Sequence, residues 1–188
     1  LEQKLAICVK MLSPQVDVLF HSLWIKKSHS RFNFYKKLRT WKVHKNPLQS
    51  LIKNGNPIAN SSSIVRKSKL FEVGLISEKA ELIGWEDYEL WIKIALANGK
   101  FELVTKTLGF YWIGLTNTST PERVLKNLKA IPKHLNSLTT EPLMKKKSWW
   151  INYSTGVCYQ HLREYAKALP FFIKALSNVS SLFGFAII

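Results

Sequence analysis

The segment Gly84-Trp85-Glu86-Asp87-Tyr88 places two adjacent carboxylates where a helical pattern begins. A glycine-containing turn delivers them to the first helical turn, where unpaired N–H groups and the helix dipole favour negative charge. Asp87 is therefore expected to stay ionised. An ionised carboxylate at the mouth of a sheet can take a proton from a hydroxyl, as a general base does. Trp85 offers an apolar wall or a flat platform for a sugar ring. Acids are common in first turns for structural reasons alone, and on spacing alone that plainer explanation wins. The surrounding sequence has to decide.

Other chemistry-bearing residues are sparse. Asp17 and Asp87 are the two aspartates of the chain, beside ten glutamates. Cys8 and Cys158 are too few for a disulfide framework or a four-cysteine metal site. His21, His29, His44, His134 and His161 lack metal-ligand spacing and read as surface or packing residues. The charge is uneven. Twenty-eight Lys and Arg against twelve acids give +16. No acid lies between Asp17 and Glu72, a stretch with twelve basic residues, whereas residues 72–102 hold seven acids and three lysines. Trp24, Phe32, Phe34, Tyr35 and Trp41 are interleaved with the first basic run. Such a surface attracts polyanions. Most of these residues read as a solvated basic face with aromatics turned inward. For the patch as a whole an anionic membrane surface is favoured over nucleic acid, because no nucleic-acid motif accompanies it.

The elements that must position Asp87 follow from periodicity. At 188 residues and 46% hydrophobic content the chain suits one compact domain, or one with an appendage. Leu1, Leu5, Cys8, Val9 and Leu12 form one helical face, ended at Ser13-Pro14. Val16–Phe20 alternates as a strand, and residues 26–47 are polar, basic and irregular and read as a loop with some helix or a hairpin. Pro47–Lys53 reads as a short helix closed by the turn Asn54-Gly55-Asn56-Pro57. Ile58–Val65 is a second strand candidate. Ser68 is expected to cap a helix over Lys69–Val73, ended by Gly74. Glu86–Asn98 is the strongest helix, with Tyr88, Trp91, Ile92, Ala95 and Leu96 on one face and Glu89 four residues before Lys93. Phe101–Val104 and Leu108–Ile113 read as short strands. After Thr120 only helical patterns follow, so a boundary is placed near residue 120.

The order of these segments carries a resemblance. Asn56-Pro-Ile-Ala-Asn-Ser-Ser-Ser-Ile-Val-Arg66 is followed by Phe71-Glu-Val-Gly-Leu75. Then come Gly84-Trp-Glu-Asp-Tyr-Glu-Leu-Trp-Ile-Lys93 and Leu108-Gly-Phe-Tyr111. This succession resembles the C-terminal, acceptor-side half of family 2 glycosyltransferases, which have the GT-A fold. There a strand with small polar residues precedes an Arg, a short helix ends in Val-Gly, and a Glu-Asp pair opens the next helix. Leu1-Glu-Gln-Lys-Leu5 looks like the helix after that family's Asp-x-Asp motif. The resemblance spans residues 1–120.

It implies an α/β fold, a partial GT-A domain lacking its N-terminal nucleotide-binding half, followed by an all-α tail over 121–188. It also implies an enzyme that moves a sugar from a nucleotide-diphosphate donor to a hydroxyl of a saccharide or lipid-linked acceptor, with inversion. Asp87 matches the general base. Glu86 and Trp85 would shape the acceptor side. The family's divalent metal (Mg or Mn) is held by Asp-x-Asp, and no such pair exists here. Where the family's last strand often carries Arg and His, this chain has Tyr111-Trp-Ile-Gly114. No cofactor-binding or metal-binding residue is therefore assigned in this chain, which looks like a fragment and is expected to be inactive alone. The implied location is cytoplasmic, peripheral at the inner membrane face.

In the tail, Gly156, Tyr159, Tyr165, Ala168, Phe172, Ala175 and Leu176 resemble one tetratricopeptide repeat over 150–178, with Pro170 inside its second helix. One such repeat cannot bury its own faces. No apolar run reaches the ~18 residues of a membrane helix, although Leu182–Ile188 looks like the start of an apolar segment. The competing expectation is a non-catalytic binding or scaffold module built on the basic face and the repeat-like hairpin.

Overall fold

The structure is a computed structural model, describing residues 3–27, 36–38, 40–114, 120–140, 142–143 and 148–177. Leu182–Ile188 and the aromatic run Phe32–Tyr35 lie outside the described residues. The chain is a mixed α/β protein with a small open sheet. Its elements are α1 (Lys4–Met11), β1 (Val18–Lys27), β2 (Lys36–Lys37), α2 (Pro47–Asn54), β3 (Ser63–Val65) and α3 (Lys67–Glu72). They continue with α4 (Glu86–Leu96), β4 (Phe101–Ile113), α5 (Pro121–Asn136), α6 (Trp149–His161) and α7 (Tyr165–Ser177).

β1 is the central strand. β4 runs parallel to it from Val18↔Phe101 to Lys27↔Ile113. The other edge of β1 is shared end to end by β3, through Val18–Phe20, and β2, through Trp24 and Ile25, both antiparallel. Alternation along β1 divides two cores. Val18 and Phe20 join the large core with Leu51, Leu82, Trp91 and Ile92. Leu19 joins Cys8, Val104 and Leu108 in a smaller core that includes part of α1.

Several expectations change. The strand expected at Val16–Phe20 runs on to Lys27, taking in residues that read as loop. Polar His21 and Ser22 interrupt the apolar pattern, yet His21 is buried and its ring Nδ1 meets the Ser22 carbonyl oxygen at 2.9 Å. The expected strand Ile58–Val65 is a strand only over Ser63–Val65, because Asn60–Ser62 form a 3-10 turn. Ser62 Oγ donates to the Ala59 carbonyl and Ser63 Oγ to that of Asn60, so the small hydroxyls favour a local turn over a ladder. α3 begins at Lys67 behind Arg66, not behind Ser68. The two strands expected around Thr105–Thr107 are one strand. Its register jumps from His21↔Val104 to Ser22↔Thr107, so Thr105 and Lys106 are absorbed as a bulge.

The compositional change near residue 120 falls at the start of α5, which Thr120 caps by accepting the Arg123 N–H. Of the helices beyond it, α5 and α6 share the large core. Leu128, Ile131, Leu135 and Ile151 pack in one cluster with Phe20, Leu51 and Trp91. α6 and α7 form the expected hairpin. A Cβ at Gly156 would stand 2.7 Å from the Phe172 ring, so glycine permits this close helix approach. α7 runs through Pro170, which removes one backbone donor.

Candidate active site

A cleft of about 600 Å³ is lined by Leu38, Asn56–Ser61, Gly84, Glu86, Asp87 and Tyr111. Its polar centre is the start of α4. Trp85 is the N-cap residue and makes no side-chain cap, so the first-turn acids supply the negative charge there. Asp87 Oδ1 accepts the Tyr88 N–H at 2.6 Å and an N–H of the Asn56 side chain at 3.4 Å. The Asn56 carboxamide is itself oriented, because its Oδ1 accepts the Ile58 N–H at 2.9 Å. This leaves its NH₂ group facing the carboxylate.

Burial pushes the Asp87 carboxyl up to about 6, against the Tyr88 N–H, which lowers it, and helped by the neighbouring charge of Glu86. Desolvation outweighs the hydrogen bonds from Tyr88, Asn56 and Asn60, so Asp87 is ionised at pH 7 but protonates in mildly acid solution.

The loop bearing Asn56 is fixed from behind. Gly55 closes α2 at φ +82°, and its N–H donates to the Leu51 carbonyl. A Cβ there would come within 3.0 Å of the Trp150 ring. The Trp150 indole N–H and Ser148 Oγ both donate to the Ile52 carbonyl, at 3.0 and 2.9 Å. The buried Tyr88 hydroxyl donates to the Leu51 carbonyl at 2.9 Å, and its ring meets that of Trp150 edge-on. The head of α6 thus satisfies the Ile52 carbonyl and α4 the Leu51 carbonyl, both at the end of α2 that leads into the site.

Glu86 lines the cleft beside Asp87, and its Oε2 accepts the Gly84 N–H. Gly84 needs its positive φ of +91° to make the turn that presents both acids. Trp85 is placed elsewhere. Its ring is 4% exposed, lies edge-on to His134 and donates its N–H to the Glu81 carbonyl, and it does not line the cleft. Arg66 acts within the scaffold, donating to the Ser13 and Val16 carbonyls beside Asp17. Glu89 meets His134 at 3.1 Å and Lys93 at 3.9 Å, as its spacing from Lys93 suggested. The sequence marked Asn56 by the turn Asn54–Pro57 and as the head of the Asn56–Arg66 segment, but not as a partner of Asp87.

Among the described residues no three His, Cys, Asp or Glu side chains converge to hold a metal ion. Glu86 and Asp87 alone do not fit the divalent cation that the resemblance implies. Among them, too, no helix is long and apolar enough to cross a membrane. The chain matches no family model, and neither curated proteins nor solved structures include a match. The described residues define a mixed α/β protein with an acidic cleft at the start of α4.

Proposed function

We propose that this chain is the acceptor-side half of a family 2 glycosyltransferase of GT-A fold, the whole protein transferring a sugar from a nucleotide-diphosphate donor to an acceptor hydroxyl. The observation that carries the reading is Asp87, a partly buried carboxylate lining an open cleft and raised to about 6. Such a group is mostly ionised at pH 7 and accepts a proton more readily than an ordinary aspartate. In the reaction the acceptor hydroxyl gives its proton to Asp87 as its oxygen attacks the anomeric carbon. The bond to the diphosphate breaks on the opposite face, so configuration inverts. Tyr88 N–H and Asn56 orient the carboxylate, and Glu86 borders the acceptor. In this reading donor and metal would be held by residues outside this chain, and no step here is assigned to the metal. The acceptor is a saccharide or a lipid-linked saccharide, and the place of action is the cytoplasmic face of the inner membrane.

The test is incubation of the full-length protein with nucleotide-diphosphate sugars and saccharide or lipid-linked acceptors. The expected result is a product with inverted anomeric configuration. Absence of any sugar-nucleotide turnover, together with salt-dependent nucleic-acid binding, would overturn the proposal.

A second reading, a non-catalytic binding or scaffold module, draws on α7. Tyr165, Leu169, Ile173 and Leu176 are all exposed along that helix. A sequence upstream of Leu1 carrying a strand–helix pattern that ends in Asp-x-Asp favours the enzyme, and its absence there favours the module.

A further inference from the structure

At the far end of β1 and β4 the register places Trp24 beside Phe110 and Lys37, and Lys26 beside Trp112. Directly paired and alternate residues share a sheet face. Trp24, Lys26, Lys37, Phe110 and Trp112 therefore form one patch, with Phe110 45% and Trp112 51% exposed. Lys27, Lys36 and Ile113 border it on the same strands, and Ile113 is also exposed. The nearest acids along these strands are remote. Asp17 precedes β1, and Glu102, the one acid of β4, pairs with Leu19 at the opposite end.

We propose that this aromatic and basic end of the sheet docks on the surface of an anionic lipid bilayer. Indole and phenyl rings with an aliphatic neighbour suit the interfacial layer, while lysines bend their ammonium groups to the headgroups. Lysines near an anionic surface are attracted over about a Debye length. Nucleic acid fits less well. Base stacking needs open ring faces, whereas Lys37 Nζ lies 5.2 Å over Trp24 and Lys26 Nζ 6.0 Å over Trp112. Tyr111, between Phe110 and Trp112, lines the Asp87 cleft and by the same alternation faces the other side of the strand, so the docking does not rest on the proposed function.

The experiment is co-sedimentation of the 188-residue chain with phosphatidylcholine vesicles, with and without about 30% phosphatidylglycerol, at low and high salt. Binding is expected only to the anionic vesicles. Trp112→Ser combined with Phe110→Ser is expected to weaken it about tenfold or more at unchanged charge. Lys26→Glu with Lys37→Glu should weaken it far more than Lys126→Glu with Lys129→Glu on α5, which changes net charge equally. Far-UV circular dichroism confirms that each variant is folded. Three results would overturn the proposal. They are no binding by the folded chain, equal effects of the two charge reversals, and vesicle binding untouched by the aromatic pair while single-stranded oligonucleotide binding is lost.

Discussion

Asp87→Asn in the full-length protein is expected to lose sugar transfer by about 10²–10⁴-fold, the usual contribution of a positioned general base, while donor affinity stays close to wild type. Asparagine keeps the size of aspartate, and its carbonyl can still accept the Tyr88 N–H, so the site should hold its shape. The same substitution should stabilise the fold. Asp87 has its pKa raised in the folded state, from an unfolded value of about 3.9 to about 6. The native state therefore binds the proton more tightly than the unfolded chain. Stability falls as pH rises between those two values and stays at the lower level above them. Two units correspond to about 3 kcal/mol, and solvent at the open cleft reduces this to about 1–2 kcal/mol. In urea titrations of the 188-residue chain, Asp87→Asn should exceed wild type by that amount at pH 7.5. The two should converge near pH 4. A variant less stable than wild type at pH 7.5 would show that the carboxylate supports the fold. Its role would then be structural, and the loss of transfer would carry no mechanistic weight.

A chain ended after Thr120 should not fold. It would lose Leu128, Ile131, Leu135 and Ile151 from the large core, each at most 5% exposed. Burial of such a side chain contributes about 1.5–3 kcal/mol, so the four together supply about 6–12 kcal/mol. That equals the whole stability of a typical domain, about 5–15 kcal/mol. Truncation also removes both tail donors to the Ile52 carbonyl, the Asn127 side-chain donor to the Ile83 carbonyl, and His134 from the buried Glu89. The expected result is a chain without near-ultraviolet circular dichroism or a sigmoidal urea transition at 25 °C. A cooperative transition in the truncated chain would mean that residues 1–120 hold a sufficient core of their own.

The features legible in the sequence were those set by local period. The apolar face of α4, with Tyr88, Trp91, Ile92 and Ala95, was plain from its spacing, but the helix expected to run to Asn98 and stop at Gly99 ends at Leu96, because Asn98 already takes the left-handed turn at φ +55°. The acids at its start were plain for the same reason. What depended on distant partners was hidden. β1 looked too short because His21 and Ser22 are polar, and only pairing with β4 on one edge and β2 and β3 on the other extends the strand to Lys27. The break expected at Thr105–Thr107 was real as an irregularity, but the partner strand turns it into a bulge.

In the site, Asp87 and Glu86 were found by type and position. Asn56, thirty-one residues before Asp87, could be tied to it only through space. Trp85 invited a role in the cleft because it adjoins the acids. Its backbone at φ −150° and ψ 15° belongs to the turn entering α4, and the ring lies in the core against His134. The raised proton affinity of Asp87 was invisible for a related reason. Helix position alone favours the charged form, and the opposing desolvation comes from side chains far away in sequence.

The central claim is that Asp87 takes the proton of the acceptor, and the pH dependence of kcat/KM for transfer by the full-length protein tests it most directly. The expected rate is level near neutral pH and falls tenfold per pH unit below a midpoint of about 6, where Asp87 becomes protonated. A profile flat from pH 7 down to pH 4.5 would contradict it.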